Sequence, residues 1–131
     1  MNNDLGNYDI SSDEKTHIQA LKNLVGRFCE ERDWDRFHSP KDLAVAIITE
    51  AAELLEIFRF KTPGDLEQML SDPDKRREIA DELSDVLYFI LRFSQMYGFD
   101  LSSEFKRKMG RNAEKYPADK FKGSNRKYTE V

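Results

Sequence analysis

The feature that most constrains the fold is a heptad-like series of apolar residues between positions 79 and 97. Its steps alternate between four and three residues, through Ile79, Leu83, Val86, Ile90, Phe93 and Tyr97. This spacing lines one face of an α-helix and is typical of helices that pack in bundles. Asp72-Pro73 supplies a start signal and Gly98 a stop signal, so the sequence predicts a helix over residues 73–97.

A second long helix is predicted from Pro40 to about Phe60. Ser39 can cap its first turn, and the segment is apolar on most sides, which indicates burial against several neighbours. Three further helical segments are predicted: one from a Ser11–Glu14 capping box to about Arg32, a short turn over residues 65–70, and one that is capped by Ser102 or Ser103 and ends at Tyr116-Pro117.

The predicted fold class is all-α, a four-to-five-helix bundle, because no segment alternates as a β-strand does. A chain of 131 residues has room for one such domain, which we place at residues 11–117. Residues 1–10 are predicted to be a disordered N-terminal lead, and residues 118–131 a basic C-terminal tail.

The composition limits the cellular compartment and the classes of ligand that fit this chain. No run of about 18 apolar residues could span a membrane, residues 1–10 lack a signal-peptide core, and Cys29 is the single cysteine. We therefore predict a cytoplasmic protein with no membrane contact. Residues 1–100 carry 12 Lys and Arg against 21 Asp and Glu, whereas residues 101–131 carry nine against four. This uneven distribution of charge argues against nucleic-acid binding. It would suit a metal-bridged polyphosphate as the ligand, and charged helix faces in contact with water would also explain it.

Two pairs of acidic residues stand in otherwise apolar helical segments. Glu50 and Glu53 are three residues apart, as are Glu82 and Asp85, so each pair shares one side of its helix. Two antiparallel helices would bring the four carboxylates together, and a divalent cation would offset their burial and repulsion. Oxygen ligands select Mg²⁺, Mn²⁺ or Ca²⁺ rather than zinc. The competing interpretation is exposed ion pairs along the helix surface, which we expect for other acids of these helices.

The acidic pairs also carry a resemblance to a known family. Glu50-Ala51-Ala52-Glu53 followed, after 28 residues, by Glu82-Leu83-Ser84-Asp85 resembles the Glu-x-x-Glu…Glu-x-x-Asp motif of MazG-like nucleoside triphosphate pyrophosphohydrolases. Residues 31–38, 108–117 and 127–129 resemble the dCTP pyrophosphatase branch of that family. The resemblance covers about residues 15–131. It implies the all-α fold of these pyrophosphatases, with residues 11–117 as the catalytic domain.

The reaction that the resemblance implies is hydrolysis of a nucleoside triphosphate to a monophosphate and pyrophosphate. The substrate would be dCTP or a related pyrimidine nucleotide, removed from the nucleotide pool. The implied cofactor is Mg²⁺, with Mn²⁺ able to substitute, bound by Glu50, Glu53, Glu82 and Asp85. Glu53 is the predicted catalytic residue, a metal ligand that also orients the attacking water.

Five aromatic or imidazole side chains are candidates for the nucleoside pocket. The resemblance implies that Trp34, Phe37 and His38 contribute to the pocket for base and sugar. Phe60 and Phe89 stand where the branch often has a tryptophan and a tyrosine. Helical spacing places Phe89 one turn and Phe60 two turns beyond the acidic pairs, where rings could stack on a base, although core packing would explain either ring as well.

Four side chains of the last predicted helix are candidates for binding the phosphates. They are Lys108, Arg111, Asn112 and Lys115, and a solvated basic face is an equally good explanation for them. Two functional alternatives also stay open. One is a non-catalytic helical module that binds a nucleotide or a partner, and the other is a dUTPase-type or phosphoribosyl-ATP pyrophosphatase-type enzyme on the same fold.

The amount of apolar helix surface predicts an oligomer. The helix that begins at Pro40 is apolar around most of its girth, and Leu87, Leu91 and Met96 lie outside the heptad series. One chain of this size cannot cover that surface, and large exposed apolar patches are rare in monomers. We therefore predict a homodimer or homotetramer, with Leu91 as a candidate residue for facing the partner, and the family resemblance points the same way.

Overall fold

The computed structural model describes residues 8–130, and α-helix dominates them. This part of the chain contains six α-helices and no strand, which confirms the predicted all-α fold class. The helices are Ile18–Glu31 (α1), Pro40–Phe58 (α2), Pro63–Ser71 (α3), Pro73–Tyr97 (α4), Leu101–Lys115 (α5) and Ala118–Phe121 (α6), with short 3-10 turns at Asp35–Phe37 and Tyr128–Glu130. Most of the predicted N-terminal lead, residues 1–7, lies outside the described residues. Between residues 8 and 130 no helix has both the length and the apolar character needed to cross a bilayer.

Helix α4 forms where the heptad series predicts it. The Asp72 side chain accepts a hydrogen bond from the Asp74 backbone N–H at 3.0 Å, and Pro73 occupies the first helical position. The helix ends at Gly98, whose φ of 75° is a left-handed conformation that glycine adopts at little cost. Both predicted boundaries of this helix are therefore confirmed.

The buried side of α4 is wider than the heptad series and rotated away from it. Leu83, a member of the series, is 54% exposed, whereas Leu91 is only 4% exposed. The prediction that Leu91 faces a partner is therefore wrong, because this side chain lies in the core of its own chain. The physical reason is that α4 contacts three helices, α1, α2 and α3, and not a single neighbour along one seam.

The segments before and after α2 are set by local hydrogen bonds. Ser39 Oγ accepts a hydrogen bond from the Asp42 N–H at 3.1 Å, as predicted. Helix α2 ends two residues earlier than predicted, because Arg59 takes an extended ψ of 134° and Phe60 a left-handed φ of 63°, and an α-helix continues through neither. Thr62 and Asp65 then form a capping box for α3. Hydrogen bonds from the Thr62 backbone and then its side chain hold the pKa of Asp65 below its ordinary value.

Two predicted helix starts are wrong. Ser11 caps no helix, because its backbone N–H donates to Thr16 Oγ1 at 2.8 Å and α1 begins only after His17. At α5 the cap is Asp100 and not either of the serines that follow Leu101, since the Asp100 carboxylate accepts from the Ser103 N–H at 3.2 Å. In both places a backbone N–H bonds to a side-chain oxygen that the prediction did not include. The acceptor is Thr16 Oγ1 near Ser11 and the Asp100 carboxylate at the start of α5.

The described chain divides into two compact units between Gly98 and Phe99. The first unit holds α1 to α4, and its buried apolar side chains are Val25, Cys29, Leu43, Met69, Ile79 and Leu91. Cys29 is fully buried, as expected for a small residue beside a helix core, and its Sγ lies 3.0 Å from the Tyr88 hydroxyl. Burial, reinforced by this contact, raises the pKa of Tyr88.

The second unit holds α5 and α6 together with most of the predicted basic tail. The Tyr116 ring packs edge-on against Phe121 and Tyr128, with centroid distances of 4.9 and 5.9 Å. Residues 118–130 therefore have ordered contacts within their own unit. The assignment of residues 11–117 to one catalytic domain stays a prediction.

Candidate functional site

The two acidic pairs meet between α2 and α4. One ligand atom from each of Glu50, Glu53, Glu82 and Asp85 lies within 4.8 Å of the other three. The members of a pair are one helical turn apart, so each helix presents two carboxylates from one side. The predicted meeting of these four acids, named here the acidic cluster, is confirmed.

A contact at the start of α2 fixes the direction of this helix relative to α4. The Tyr97 hydroxyl, at the end of α4, donates a hydrogen bond to the His38 carbonyl at 2.6 Å, just before α2 begins. Glu50 comes twelve residues after His38, and Asp85 comes twelve residues before Tyr97. Two points of contact at matching distances along the helices make α2 and α4 antiparallel, as predicted.

Two members of the acidic cluster, Glu50 and Glu82, hold their protons more tightly than isolated carboxylates do. A hydrogen bond with Glu53, followed by burial and the charges of the other acids, raises the pKa of Glu50 to about 7. Burial, followed by repulsion from Glu53 and Asp85, raises the pKa of Glu82. Oε2 of Glu50 and Oε2 of Glu82 are buried and have no hydrogen-bond partner. Such oxygens are costly to bury, so a cation would stabilise the cluster.

The chemistry of the acidic cluster fits a divalent metal ion. All four side chains offer carboxylate oxygens, the ligands that Mg²⁺, Mn²⁺ and Ca²⁺ prefer. Glu50 and Glu82 are half-buried, whereas Glu53 and Asp85 are exposed, so the cluster has a protected side and a side open to solvent. Mg²⁺ binds to proteins through few carboxylates and takes its remaining ligands from water and phosphate oxygens.

Other acids of the same helices are in ordinary surface ion pairs, as predicted. Glu56 pairs with Arg59 at 2.9 Å and Glu78 with Lys75 at 3.0 Å, and all four side chains are exposed. None of the ion pairs within residues 8–130 includes a member of the acidic cluster. Surface pairing therefore explains these neighbours and does not explain the cluster.

The predicted nucleoside-binding residues Trp34, Phe37 and His38 form a short loop between α1 and α2. The Trp34 ring packs edge-on against Phe28 of α1 at 5.8 Å and against the His38 imidazole at 6.3 Å. Phe37 is exposed, with the Arg36 guanidinium 5.4 Å from its ring centroid. The loop thus presents two partly exposed rings beside a half-buried imidazole.

A buried arginine of α4 holds this loop. Arg92 Nε donates to His38 Nδ1 at 2.9 Å, and a terminal nitrogen of the same guanidinium pairs with the Asp35 carboxylate. The other terminal nitrogen donates to Gln95 Oε1 at 2.6 Å. Gln95 in turn packs against Gly26 of α1, where an added Cβ would stand only 2.9 Å from the Gln95 amide carbon. Helix α4 therefore ties the loop to α1 through one connected set of contacts.

The two candidate phenylalanines differ in their placement. Phe60 lies beyond the end of α2 and is 88% exposed, with the Arg59 guanidinium 4.6 Å from its ring centroid. The expectation that it extends α2 by two turns past the first acidic pair is wrong. Phe89 does lie on α4, one turn after Asp85, and is half-buried with its ring edge-on to Tyr88 at 4.8 Å.

The predicted phosphate-binding residues lie on α5, in the second unit. Lys108 and Arg111 are exposed, whereas Asn112 and Lys115 are half-buried. The Lys115 ammonium lies 5.0 Å from the centroid of the Tyr128 ring. A role in phosphate binding stays a prediction for all four.

The part of this chain that is similar to known proteins includes the acidic cluster. Residues 45–131 match the MazG-like family, and this span includes all four acids. The chain belongs to the MazG-like family. The resemblance predicted from the motif is therefore confirmed.

Named relatives of this MazG-like protein are pyrophosphatases. Human dCTP pyrophosphatase 1 is 36% identical over 114 residues, which cover 87% of this chain and 67% of the human protein. The cattle protein of the same name is 31% identical over 126 residues, covering 96% and 73% of the two chains. A crystal structure of a pyrophosphatase from Archaeoglobus fulgidus aligns with a TM-score of 0.72 and 32% identity, covering 82% of this chain and 99% of that one. These matches confirm the predicted enzyme class, a nucleoside triphosphate pyrophosphohydrolase.

Sequence reasoning about this MazG-like protein missed Arg92 and Tyr97 as contacts of the loop. The heptad series includes Tyr97 and predicts only apolar packing for it, and no sequence motif includes Arg92. A signal was present, because Arg92 is the one charged residue between positions 86 and 97. A lone cation in such a stretch of helix is expected to have a specific partner.

Proposed function

We propose that this protein hydrolyses a pyrimidine deoxynucleoside triphosphate, dCTP or a close relative, to the monophosphate and pyrophosphate with Mg²⁺ as cofactor. The observation that carries the proposal is the acidic cluster, four carboxylates within 4.8 Å whose two buried oxygens have no partner. The pyrimidine assignment is supported by the dCTP pyrophosphatases among its relatives. Mn²⁺ is expected to replace Mg²⁺, because it accepts the same oxygen ligands.

The four acids divide into two kinds by their exposure. Glu50 and Glu82, the half-buried members, would hold the cation from the protected side, and Glu53 and Asp85 from the side open to substrate. A divalent ion bound there supplies positive charge to phosphoryl oxygens and makes a nearby water more acidic. Glu53 is the proposed catalytic residue, because its exposed carboxylate can accept a hydrogen bond from the attacking water and orient it.

The reaction breaks one phosphoanhydride bond. The oxygen of water bonds to the α-phosphorus, the bond from that phosphorus to the bridging oxygen breaks, and pyrophosphate leaves with the bridging oxygen. The proton lost by water goes to a carboxylate or to solvent. The proposed contacts for the phosphates are Lys108, Arg111, Asn112 and Lys115 of α5. Ammonium and guanidinium groups pair with phosphate oxygens, and the amide NH₂ of Asn112 can donate a hydrogen bond to them.

The loop before α2 is the proposed site for the nucleoside. Trp34 and Phe37 offer partly exposed rings, and aromatic rings stack readily on a base. His38 adds a polar group beside Trp34, and Phe60 and Phe89 are proposed as further rings against the base. Stacking alone would not separate one base from another, so the choice of base depends on the polar groups of the loop.

The test is a substrate panel in which product identity is measured. Purified protein with Mg²⁺ is given the ribo- and deoxynucleoside triphosphates, including dUTP, together with phosphoribosyl-ATP, and the products are separated by anion exchange. We expect dCTP or a related pyrimidine deoxynucleotide to give the highest kcat/KM and pyrophosphate to be released. Primary release of orthophosphate would contradict the proposed reaction. Preference for dUTP or phosphoribosyl-ATP would keep the reaction and change the substrate.

A Glu53→Gln protein serves as the control for this panel. A fall in turnover of at least about a hundredfold in that protein shows that hydrolysis comes from the acidic cluster and not from a contaminating phosphatase. Nucleotide binding without turnover in the unaltered protein would instead support a binding module.

We also propose that the working form is a homodimer or homotetramer. Val45, Ile48 and Leu55 of α2 are all more than half exposed, and Leu83 and Leu87 of α4 are also exposed. Their positions on the two helices that carry the acidic cluster would place an interface close to the site. A second copy, with the usual two-fold symmetry, is the proposed cover for these side chains.

A further inference from the structure

We propose that Arg92 is a positioning residue that fixes the loop before α2 and makes His38 a neutral donor, through Nε2, to an acceptor atom of the substrate's base. This inference rests on the proposed function, in which that loop receives the nucleoside. It assigns a role to a side chain that touches neither the acidic cluster nor, in our proposal, the substrate.

The burial of Arg92 is the first observation. Its side chain is 1% exposed, although a guanidinium keeps its charge at all ordinary pH values. A buried charge is tolerated only when it is well paired. Of its three partners, Gln95 belongs to α4, but Asp35 and His38 belong to the loop and lie 57 and 54 positions away in sequence. Two of the three interactions that stabilise this buried charge therefore also fix the loop.

The second observation concerns the tautomer of His38. Arginine has only donors, so the hydrogen bond from Arg92 Nε at 2.9 Å requires a lone pair on His38 Nδ1. The single proton of the neutral ring must then be on Nε2, and a doubly protonated ring could not accept this bond. Burial, followed by the charge of Arg92, lowers the pKa of His38.

The charged and titratable groups around His38 come from three segments. Helix α4 contributes Arg92 and also Tyr97, whose hydroxyl bonds the His38 carbonyl. The loop contributes Asp35 and the start of α2 contributes Asp42, and both carboxylates act to raise the pKa of His38. The lowering by burial and by Arg92 outweighs them, so the ring is neutral near pH 7.

The chemistry of this ring selects a kind of ligand atom. A neutral imidazole with its proton on Nε2 donates one hydrogen bond there and has no positive charge to attract phosphate. Its neighbour is the Trp34 ring, at 6.3 Å between centroids, which suits a stacked base. The fitting partner is therefore an acceptor on a pyrimidine, such as O2 or N3 of cytosine, and not its exocyclic amino group, which is itself a donor.

The experiment combines nitrogen NMR of the histidines with steady-state kinetics of the full chain. The chain has two histidines, His17 and His38, so a His38→Asn protein assigns the two sets of ring signals. In the unaltered protein without nucleotide we expect the His38 signals of an Nε2–H tautomer and a titration below the ordinary histidine range. In Arg92→Met we expect the titration to move up towards that range, because the bond that requires a free Nδ1 lone pair is gone.

The kinetic readout separates positioning from chemistry. Arg92→Met should raise KM for the best substrate by about tenfold or more, the loss expected for one charge-assisted hydrogen bond, while kcat stays within about twofold. His38→Asn keeps an acceptor near the Nδ1 position for Arg92 but has no donor at Nε2, so it should raise KM in the same way. The matched control is Arg27→Met, which removes an exposed arginine paired with Glu31 and should leave KM, kcat and the His38 titration unchanged.

Three results would overturn the inference. They are an Nδ1–H tautomer of His38 in the unaltered protein, an Arg92→Met protein with unchanged KM, and a His38→Asn protein with unchanged KM. If Arg92→Met does not fold, Arg92→Lys decides. Lysine keeps the positive charge but cannot reach His38 and Asp35 together, so an unaltered His38 titration in that protein would also refute the inference.

The two readouts keep this inference separate from the proposed function. The tautomer is measured without nucleotide and does not depend on turnover. If no triphosphate is hydrolysed by the unaltered protein, the proposed function fails whatever the NMR shows. If hydrolysis is normal and KM is insensitive to Arg92, the positioning role fails and the proposed function stands.

Discussion

Replacing Glu50 with glutamine should make the metal-free protein more stable at pH 8 and should abolish its stabilisation by Mg²⁺. Glu50 is half-buried in the acidic cluster, and one of its oxygens is buried without a partner. Its ionisation is opposed by a hydrogen bond with Glu53, then by burial and by the charges of the three neighbouring carboxylates. Glutamine has nearly the same shape and no charge, so the substitution removes the repulsion and the metal ligand together.

The size of the effect follows from the pKa of about 7 against an ordinary value of 4.5. That difference corresponds to about 3 kcal/mol of unfavourable interaction once Glu50 is ionised. Coulomb's law gives a similar scale, because charges separated by 4.8 Å repel by about 1 kcal/mol in water and by about 3 kcal/mol at a protein surface. Glu53 and Asp85 are exposed and partly screened by water, so we expect a net gain of about 1–2 kcal/mol, or about 3–8 °C in Tm.

The pH dependence has a definite sign. In the folded state Glu50 keeps its proton up to about pH 7, whereas in the unfolded chain it loses the proton near 4.5. Between these values the folded state binds more protons, so the free energy of unfolding falls as pH rises. The unaltered protein without metal should therefore lose stability from about pH 4.5 to 7, and Glu50→Gln should lack this part of the loss. Near pH 4 the two proteins should differ little.

The assay is thermal unfolding at pH 4 and pH 8, in EDTA and in excess Mg²⁺. In EDTA at pH 8 the Glu50→Gln protein should melt higher. Mg²⁺ at a hundredfold excess over its dissociation constant should add about 2.7 kcal/mol to the unaltered protein only, so the order of the two melting temperatures should reverse. Glu56→Gln, which removes an exposed acid paired with Arg59 on the same helix, is the control and should change little in any condition. A lower melting temperature for Glu50→Gln in EDTA at pH 8 would refute the reasoning.

Three further predictions concern metal, catalysis and assembly. EDTA should abolish turnover and Mg²⁺ or Mn²⁺ should restore it, whereas full activity in excess chelator would exclude the acidic cluster as the site. Glu53→Gln should lower kcat by at least about a hundredfold while the fold survives, and Glu56→Gln should be nearly silent, so similar kinetics for the two would contradict the division into site and surface. Ile48→Glu, at a side chain 70% exposed, should dissociate the oligomer in light scattering and reduce activity, and an active monomer of the unaltered protein at micromolar concentration would contradict the proposed interface.

The helices and the acidic cluster that they carry were predictable, because both depend on the spacing of residues along the sequence. The 3.6-residue period fixes which residues share a helix face, and Pro and Gly mark the ends of α4, so its bounds could be predicted without tertiary information. The same period puts Glu50 beside Glu53 and Glu82 beside Asp85. Their meeting then needed only one assumption, that two apolar helices pack as antiparallel neighbours.

Features that depend on competition between contacts were not predictable in this way. Ser11 has the spacing of a capping box, but its backbone bonds to Thr16, which lies outside that motif. Leu91 is apolar whether it faces the core or a partner, so pattern alone could not tell that α4 buries it. Phe60 lies outside the helix because the backbone angles of Arg59 and Phe60 form a turn, which the apolar pattern around them does not record.

Because a single helix carries both Asp85 of the acidic cluster and Arg92 of the loop contacts, their separation is fixed by helix geometry. Seven residues correspond to a rise of about 10 Å and to nearly two full turns, so both side chains leave α4 within about 20° of the same direction. Inserting or deleting one residue between them would turn one side chain by about 100° relative to the other. Changes of substrate preference in this protein should therefore be reached by replacing residues on α4 and in the loop, while the length of the helix between positions 85 and 92 stays constant.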